Sequence, residues 1–194
     1  MDSITKPIGI LLAAGSSTRF GSDKLLHRLP DNETRTVAEL AARQLLDALP
    51  DSIAVIREHD SQLKALFSHL GMPVVTNVDA HLGMSSSIAC GVNSRPDATG
   101  WVIALADMPY IPSTVIIQVA QALQRDALIA APVYKGQRGH PVGFSRHLFN
   151  ELVNLQGDVG AKSIIERHRN ELQLLATTDA AILRDIDRKA DITQ

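Results

Sequence analysis

The sequence has little cysteine, no excess charge of one sign and no long hydrophobic run. Cys90 is the only cysteine among 194 residues, which excludes an intramolecular disulfide and a cysteine-rich metal site and favours a reducing cytoplasm. The 19 basic residues are balanced by 21 acidic ones, which argues against a nucleic-acid partner. No apolar run could span a bilayer, and residues 1–7 lack a signal-peptide pattern, so we expect a cytoplasmic protein with no membrane partner.

Strand-like and helix-like segments alternate along the chain. Short apolar runs predict strands at 8–13, 53–56, 73–76, 101–106, 127–133, 172–176 and 182–186. Apolar residues at helical spacing predict helices at 36–49, 61–70, 85–92, 112–123, 146–155 and 160–168. Residues 135–141 form a glycine-punctuated loop or hairpin inserted into the sheet. This order predicts one α/β domain over residues 1–194, with a mostly parallel sheet, helices on both faces and ligands at the carboxyl ends of strands.

A loop rich in small residues follows the first predicted strand. It begins at Gly15 and presents Arg19 and Lys24, so backbone N–H groups and two cations can converge on one polyanion. The residues after Gly21 do not match a Walker A loop, and the glycine spacing does not match the dinucleotide fingerprint, which argues against a Rossmann oxidoreductase. The loop therefore predicts a phosphate-binding site; the alternative is an ordinary glycine-rich turn with solvated cations.

Two acidic positions suit a metal ion beside that loop. Asp107 directly follows the apolar run 101–106, where a carboxylate would face the ligand crevice and suit Mg²⁺ held jointly with phosphates. Asp185 and Asp187 follow the apolar run 181–183, and residues two apart on a strand point the same way, so both could share one face. The alternatives are a turn or cap aspartate at 107 and a solvated acidic strand end at 185–187.

Two further loops suit a second, anionic substrate. Arg138 and His140 lie on a glycine-rich loop that permits close approach of a ligand to the backbone. Asp158 lies between the last two predicted helices, and Gly160 lies at the start of the second of them. The alternatives are a loop histidine with no ligand and an aspartate that caps a helix.

Taken together, these motifs resemble the MobA-like nucleotidyltransferases, most closely the molybdenum cofactor cytidylyltransferases of the MocA type. The matching segments are 12–21 with Lys24, 83–87, 105–109, 138–142, 157–162 and 185–187. They span the chain in the family's order. The resemblance implies a three-layer αβα Rossmann-like fold in which the N-terminal part binds the NTP and the C-terminal part binds the acceptor.

The resemblance also implies a reaction and a role for each motif. A nucleoside monophosphate would pass from an NTP to the phosphate of a molybdopterin-type acceptor with release of pyrophosphate, and a recipient molybdoenzyme is a possible further partner. Arg19 and Lys24 would hold the β- and γ-phosphates, with Asp107 as the third catalytic residue. Asp107 and Asp187 would carry Mg²⁺. The remaining binding residues implied are Leu12, Ala13, Ala14, Gly15, Ser16 and Ser17 for triphosphate and base, Ser85 and Ser86 for ribose or base, and Arg138, His140 and Asp158 for the acceptor.

The base choice rests on one position. Cytosine-using members of the group tend to have alanine where Ala14 stands, whereas guanine-using members tend to have glycine, so the resemblance favours CTP. A methyl group there narrows the space beside the base, a difference typically worth about 1–3 kcal/mol. The other hypotheses are a transferase that uses GTP or another phosphorylated acceptor, and a non-catalytic carrier of a finished nucleotide cofactor.

Overall fold

The structure is a computed structural model that describes residues 6–15, 24–29, 32–188 and 191. The strands are β1 (Ile8–Leu12), β2 (Arg28–Leu29), β3 (Asn32–Thr36), β4 (Ile53–Arg57), β5 (Val74–Asn77), β6 (Gly100–Leu105), β7 (Ile129–Tyr134), β8 (Gln137–Arg138), β9 (Val142–Ser145) and β10 (Leu172–Ala176). The α-helices are α1 (Val37–Ala48), α2 (Ser61–His69), α3 (Met84–Asn93), α4 (Ser113–Gln124), α5 (Phe149–Val153) and α6 (Lys162–Arg167). No helix in the described part of the chain is long and apolar enough to cross a membrane.

Eight of the described strands form one sheet, in the order β10-β7-β9-β6-β1-β4-β5 with β8 paired to β7. Strand β1 is central and parallel to both β4 and β6, with Ile10 opposite Ile53 on one side and Ile103 on the other. Strands β5 and β10 are also parallel to their neighbours. Strand β9 runs antiparallel between β6 and β7. The predicted loop or hairpin at 135–141 begins as a hairpin, because β8 pairs antiparallel with the end of β7. The described β2 and β3 form a separate antiparallel pair.

Side-chain alternation along the central strands produces two apolar cores, one on each face of the sheet. Leu11 and Val102 face the core that α1, α2 and α4 cover, whereas Ile10 and Ile103 face the core that α3, α5 and α6 cover. Successive residues of a strand point to opposite faces, so strands buried on both sides have continuous apolar sequences. The arrangement confirms the predicted three-layer α/β fold with a mostly parallel central sheet.

A capped start and a buried apolar face explain why the segment Val37–Ala48 forms helix α1. The Thr36 hydroxyl accepts a hydrogen bond from the backbone N–H of Glu39 at 3.2 Å, which caps the helix start. Val37, Ala41 and Leu45 then recur at helical spacing and are buried against the sheet. Most of the helix stability therefore comes from this apolar face.

The predicted strand at 182–186 is wrong. The Asp179 carboxylate accepts from the N–H of Ala181 and starts a 3₁₀ turn over Ala180–Leu183, which an irregular segment follows. Ile182 and Ile186 are both buried, and their backbone groups bond outside any ladder: the Ile182 carbonyl accepts from the His140 N–H, and the Ile186 N–H donates to the Asp107 carbonyl. Burial of apolar residues four apart, rather than strand pairing, explains the apolar pattern.

At Gly9, strand β1 packs closely against Ser52 and Leu45. A Cβ atom there would meet the Ser52 hydroxyl and lie 2.7 Å from Cδ1 of Leu45. We predict that Gly9→Ala lowers the free energy of unfolding by about 1–3 kcal/mol, because the added methyl overpacks the core. Gly15→Ala is the matched control, since a Cβ there meets nothing within 4 Å. Urea denaturation of both variants tests this, and equal stability of Gly9→Ala and wild type would contradict it.

Candidate active site

The site forms where β1 and β6 end side by side. The Ala106 N–H donates to the Leu12 carbonyl at 3.0 Å, which continues the pairing of β6 with β1 by one residue. The Ala13 N–H donates to the Val55 carbonyl at 2.8 Å, which continues the pairing of β1 with β4 in the same way. Ala14 is half-buried and Gly15 is exposed. The loop entry thus emerges directly beside Asp107, at the sheet edge where open α/β folds bind ligands.

Lys24 joins the two carboxylates proposed from the sequence. Its Nζ lies 2.8 Å from Oδ2 of Asp107 and 3.3 Å from Oδ1 of Asp187. Lys24 begins a 3₁₀ turn whose next residue, Leu25, is buried in the core, and Lys24 itself is only 8% exposed. Packing of this turn therefore fixes the lysine against the ends of two distant chain segments.

The charges of this cluster are strongly coupled. Burial lowers the pKa of Lys24, but hydrogen bonds and attraction from Asp107 and Asp187 outweigh it, so the pKa is raised above its ordinary value. The pKa of Asp185 is also raised, first by burial and then by repulsion from Asp187 and Asp107. Lys24 is therefore a cation at neutral pH, and Asp185 lies close enough to Asp107 and Asp187 for their charges to raise its pKa.

Hydrogen bonds of the backbone that the sequence did not predict place Asp187 at the site. The hydrogen bond from the Ile186 N–H to the Asp107 carbonyl, at 2.9 Å, ties the C-terminal segment to the end of β6. The Asp187 N–H in turn donates to Oδ2 of Asp191 at 2.9 Å. Backbone pairing with Asp107, not a shared strand face, brings Asp187 to Lys24.

The loop that carries Arg138 and His140 lies next to this cluster. Its Gly139 N–H donates to the Pro132 carbonyl and its His140 N–H donates to the Ile182 carbonyl, both at 2.9 Å. Arg138 is exposed, whereas Nδ1 of His140 is buried and has no hydrogen-bond partner within the described residues. Burial and then the Arg138 cation lower the pKa of His140, attraction from Asp107 opposes both, and the net result is a pKa of about 4. At neutral pH this histidine offers a hydrogen bond but no charge.

The serine hydroxyls at the start of α3 form hydrogen bonds with other groups of the protein. Ser85 is fully buried and its hydroxyl donates to the Gly160 carbonyl at 3.2 Å. The buried Asn77 donates to the hydroxyls of Ser86 and Ser87 at 2.9 and 3.1 Å. Of the two serines proposed as ribose or base contacts, only Ser86 is partly exposed. The Ser85 hydroxyl instead holds the 157–161 loop.

Asp158 lies against the same helix start. Gly83 has φ 101°, and a Cβ there would lie 2.8 Å from Cα of Asp158 and would also strike its carboxylate. A side chain at position 83 is thus excluded both by backbone conformation and by this contact. Asp158 is exposed and does not form a side-chain cap on α6, which begins at Lys162 after Ala161.

Three of the proposed site residues, Ser16, Ser17 and Arg19, lie outside the described residues. Sequence reasoning missed one residue, Asn77, and gave a second, Asp185, no role of its own. Asn77 ends strand β5 and organises the start of α3, and its position at the carboxyl end of a parallel strand was the available signal. Asp185 lies near the Lys24 cluster, and its spacing from Asp187 was noted without a separate role.

The architecture is that of an α/β protein whose candidate site lies at the carboxyl ends of parallel strands. The sequence pattern described as the MobA-like NTP transferase domain matches residues 9–172, so the chain belongs to the MobA-like NTP transferase family. This confirms the prediction of a MobA-like family member, whereas the MocA type within that family stays a prediction, and the chain is accordingly a nucleotidyltransferase.

Three relatives illustrate the breadth of this family. The chain is 28% identical to purine catabolism protein PucB of Bacillus subtilis (strain 168), over 93% of this chain and 91% of that protein. It is 31% identical to a molybdenum cofactor guanylyltransferase of Rhodopseudomonas palustris (strain BisB5), over 69% of this chain and 63% of that protein. The crystal structure of Rv0371c in complex with manganese, from Mycobacterium tuberculosis H37Rv, has a TM-score of 0.80 and 27% identity, and covers 97% of this chain and 96% of that one.

The lowered pKa of His140 leads to a prediction about how stability depends on pH. Because the pKa of His140 falls from 6.5 to about 4 on folding, the unfolded chain binds more protons between these values. The contribution of His140 to stability is therefore complete above pH 6.5 and is lost as the pH falls towards 4. Two-dimensional NMR should show a titration midpoint for His140 near 4, assigned with His140→Gln, and Arg138→Gln should move it upward. A midpoint near 6.5 would contradict the buried neutral state.

Proposed function

We propose that this chain transfers CMP from CTP to the phosphate of a molybdopterin-type acceptor and releases pyrophosphate. The observation that carries the proposal is the convergence of Lys24, Asp107 and Asp187 at the ends of β1 and β6, directly beside the 12–15 loop. A cation and two carboxylates at this place suit a metal-bound triphosphate. The family assignment supports nucleotide transfer as the chemistry.

The donor set fits a divalent cation shared with the nucleotide. Both carboxylates reach one ammonium nitrogen, so their oxygens lie close together. Within the described residues no group of three or more His, Cys, Asp or Glu side chains is placed to hold a metal by itself. Mg²⁺ commonly binds through one or two carboxylates plus substrate phosphates, so two aspartates are a sufficient protein contribution. The manganese complex of a relative supports divalent metal binding in the family.

The reaction requires little covalent chemistry from the protein. An oxygen of the acceptor phosphate attacks the α-phosphorus in line. The bond from the α-phosphorus to the oxygen that bridges the α- and β-phosphorus atoms breaks, so pyrophosphate leaves with the electron pair. The acceptor oxygen is already anionic at neutral pH, and no protein base is needed. The bound metal would supply neutralisation of charge on the triphosphate. Lys24 and the backbone N–H groups of Ala14 and Gly15 would orient the phosphates, with Arg19, Ser16 and Ser17 completing the proposed cradle.

The acceptor is proposed to lie on the side of the site built from the C-terminal half. Arg138 is exposed beside His140, which is close enough to Asp107 for their charges to interact. Exposed Asp158 lies over the start of α3. Arg138 would pair with the acceptor phosphate, and neutral His140 would contribute a hydrogen bond without adding charge.

GTP is the second candidate nucleotide. Half-buried Ala14, at the exposed end of the loop entry, supports CTP because its methyl group narrows the space beside the base. The guanylyltransferase relative favours GTP instead. Both candidates use the same metal and phosphate residues.

A pyrophosphate-release assay tests the proposed reaction. Purified protein with Mg²⁺ and molybdenum-loaded molybdopterin should release pyrophosphate with CTP faster than with GTP, ATP or UTP. Faster release with GTP would replace CTP by the second candidate. Release with none of the four nucleotides would refute the proposal.

Asp107→Asn tests the metal assignment. Removing this carboxylate charge without changing shape should lower turnover by about 10²–10⁴-fold, because charge neutralisation at the triphosphate is weakened. Asp97→Asn removes a charge from an exposed surface position and is the matched control. Full turnover of Asp107→Asn would reject the assignment, and unchanged delivery of a nucleotide cofactor without turnover would support the carrier hypothesis.

Ala14→Gly tests the choice of base. Removing one methyl group should raise the ratio of kcat/KM for GTP over CTP by about tenfold to a hundredfold, since a methyl-sized restriction is worth roughly 1–3 kcal/mol. Turnover with CTP should change little, because a glycine makes room without removing a polar contact. An unchanged ratio would show that Ala14 does not determine base specificity.

A further inference from the structure

The lysine in this site uses the same carboxylate oxygens that a metal ion would need. Its Nζ touches Asp107 and Asp187 at 2.8 and 3.3 Å, and its side chain is 10% exposed, whereas the two carboxylate side chains are 27% and 43% exposed. Water and ions can thus reach the carboxylates more easily than they reach the ammonium group. A cation that binds Oδ2 of Asp107 and Oδ1 of Asp187 would lie beside the Lys24 ammonium.

Repulsion from the Lys24 ammonium opposes the binding of a free metal ion at these carboxylate oxygens. One ammonium faces two carboxylates, with exposed Asp185 near both. A divalent cation added beside the ammonium would be repelled by it, and this repulsion between close, partly desolvated charges is strong. The three phosphates of a nucleotide would remove the conflict, because they can accept the lysine while the metal takes the carboxylates.

We propose that Lys24 is an internal competitor of the divalent cation, so that the free protein binds the metal weakly and acquires it together with the nucleotide. The nucleotide phosphates draw the ammonium away from Asp107 and Asp187. This second step rests on the proposed function, whereas the competition itself depends only on the contacts of Lys24. Lys24 thus has two successive roles. In the free protein it pairs with the two carboxylates, and in the nucleotide complex it contacts the phosphates.

Binding of Mn²⁺ alone tests the competition. Free Mn²⁺ is measured by its electron paramagnetic resonance signal during titration of the full-length protein, with no nucleotide or acceptor present. Lys24→Met should bind Mn²⁺ about tenfold more tightly or better than wild type, because a neighbouring like charge at this distance typically shifts an ionic equilibrium by one to three powers of ten. Lys24→Arg retains the positive charge and should bind as weakly as wild type.

Three further variants make the result specific. Lys64→Met removes an equal charge from an exposed position on α2 and should leave Mn²⁺ affinity unchanged. Lys24→Gln keeps a hydrogen-bond donor for Asp107, so it provides a second neutral variant if Lys24→Met does not fold. The double variant Asp107→Asn, Lys24→Met should lose the gained affinity, which would locate the ion at this site.

Unchanged or weaker Mn²⁺ binding by the folded neutral variants would overturn the proposal. Equal tightening by Lys64→Met would overturn it too, since net charge alone would then explain the effect. The titration contains no substrate, so its failure is distinguishable from failure of the proposed function. Tighter Mn²⁺ binding in a protein that releases no pyrophosphate would retain the competition and refute only the reaction.

Discussion

The contact of the Lys24 ammonium with Asp107 and Asp187 is the interaction on which the site depends. It joins three chain segments: the turn that follows the first loop, the end of β6, and the irregular segment near the C-terminus. Removing both carboxylate charges would take away the hydrogen bonds and attraction that stabilise the mostly buried Lys24 ammonium, which is costly. The sheet supplies the rigid frame, because β1 and β6 are neighbouring parallel strands whose ends define one edge. The proposed function and the local charge pairing thus involve the same three side chains.

Much of the fold followed from pattern, because a strand buried on both faces and an amphipathic helix each have a distinct periodicity. The failure at 182–186 has a specific cause: Ile182 and Ile186 are both buried, but their backbone groups pair with His140 and Asp107 instead of a strand. Local sequence does not encode such long-range backbone partners. Asp187 nevertheless reached the expected place through that pairing.

The residue types at the site were predictable, but their states were not. Ser85 has a motif position typical of a ligand contact, yet burial commits its hydroxyl to the Gly160 carbonyl. His140 has a position typical of an anion-binding residue, yet burial and Arg138 keep it neutral. Lys24 was expected to meet phosphates, and in the protein alone it meets carboxylates. Each difference arises from burial or partners that only the folded chain provides.

Anomalous X-ray scattering from crystals grown with Mn²⁺ and a non-hydrolysable CTP analogue tests the central claim most directly, because it locates the metal and the lysine together. The account predicts a manganese peak bridged by the carboxylates of Asp107 and Asp187, with the Lys24 ammonium moved onto the phosphates. A manganese peak away from both aspartates, or a lysine that still bridges them while metal and nucleotide are bound, would contradict it.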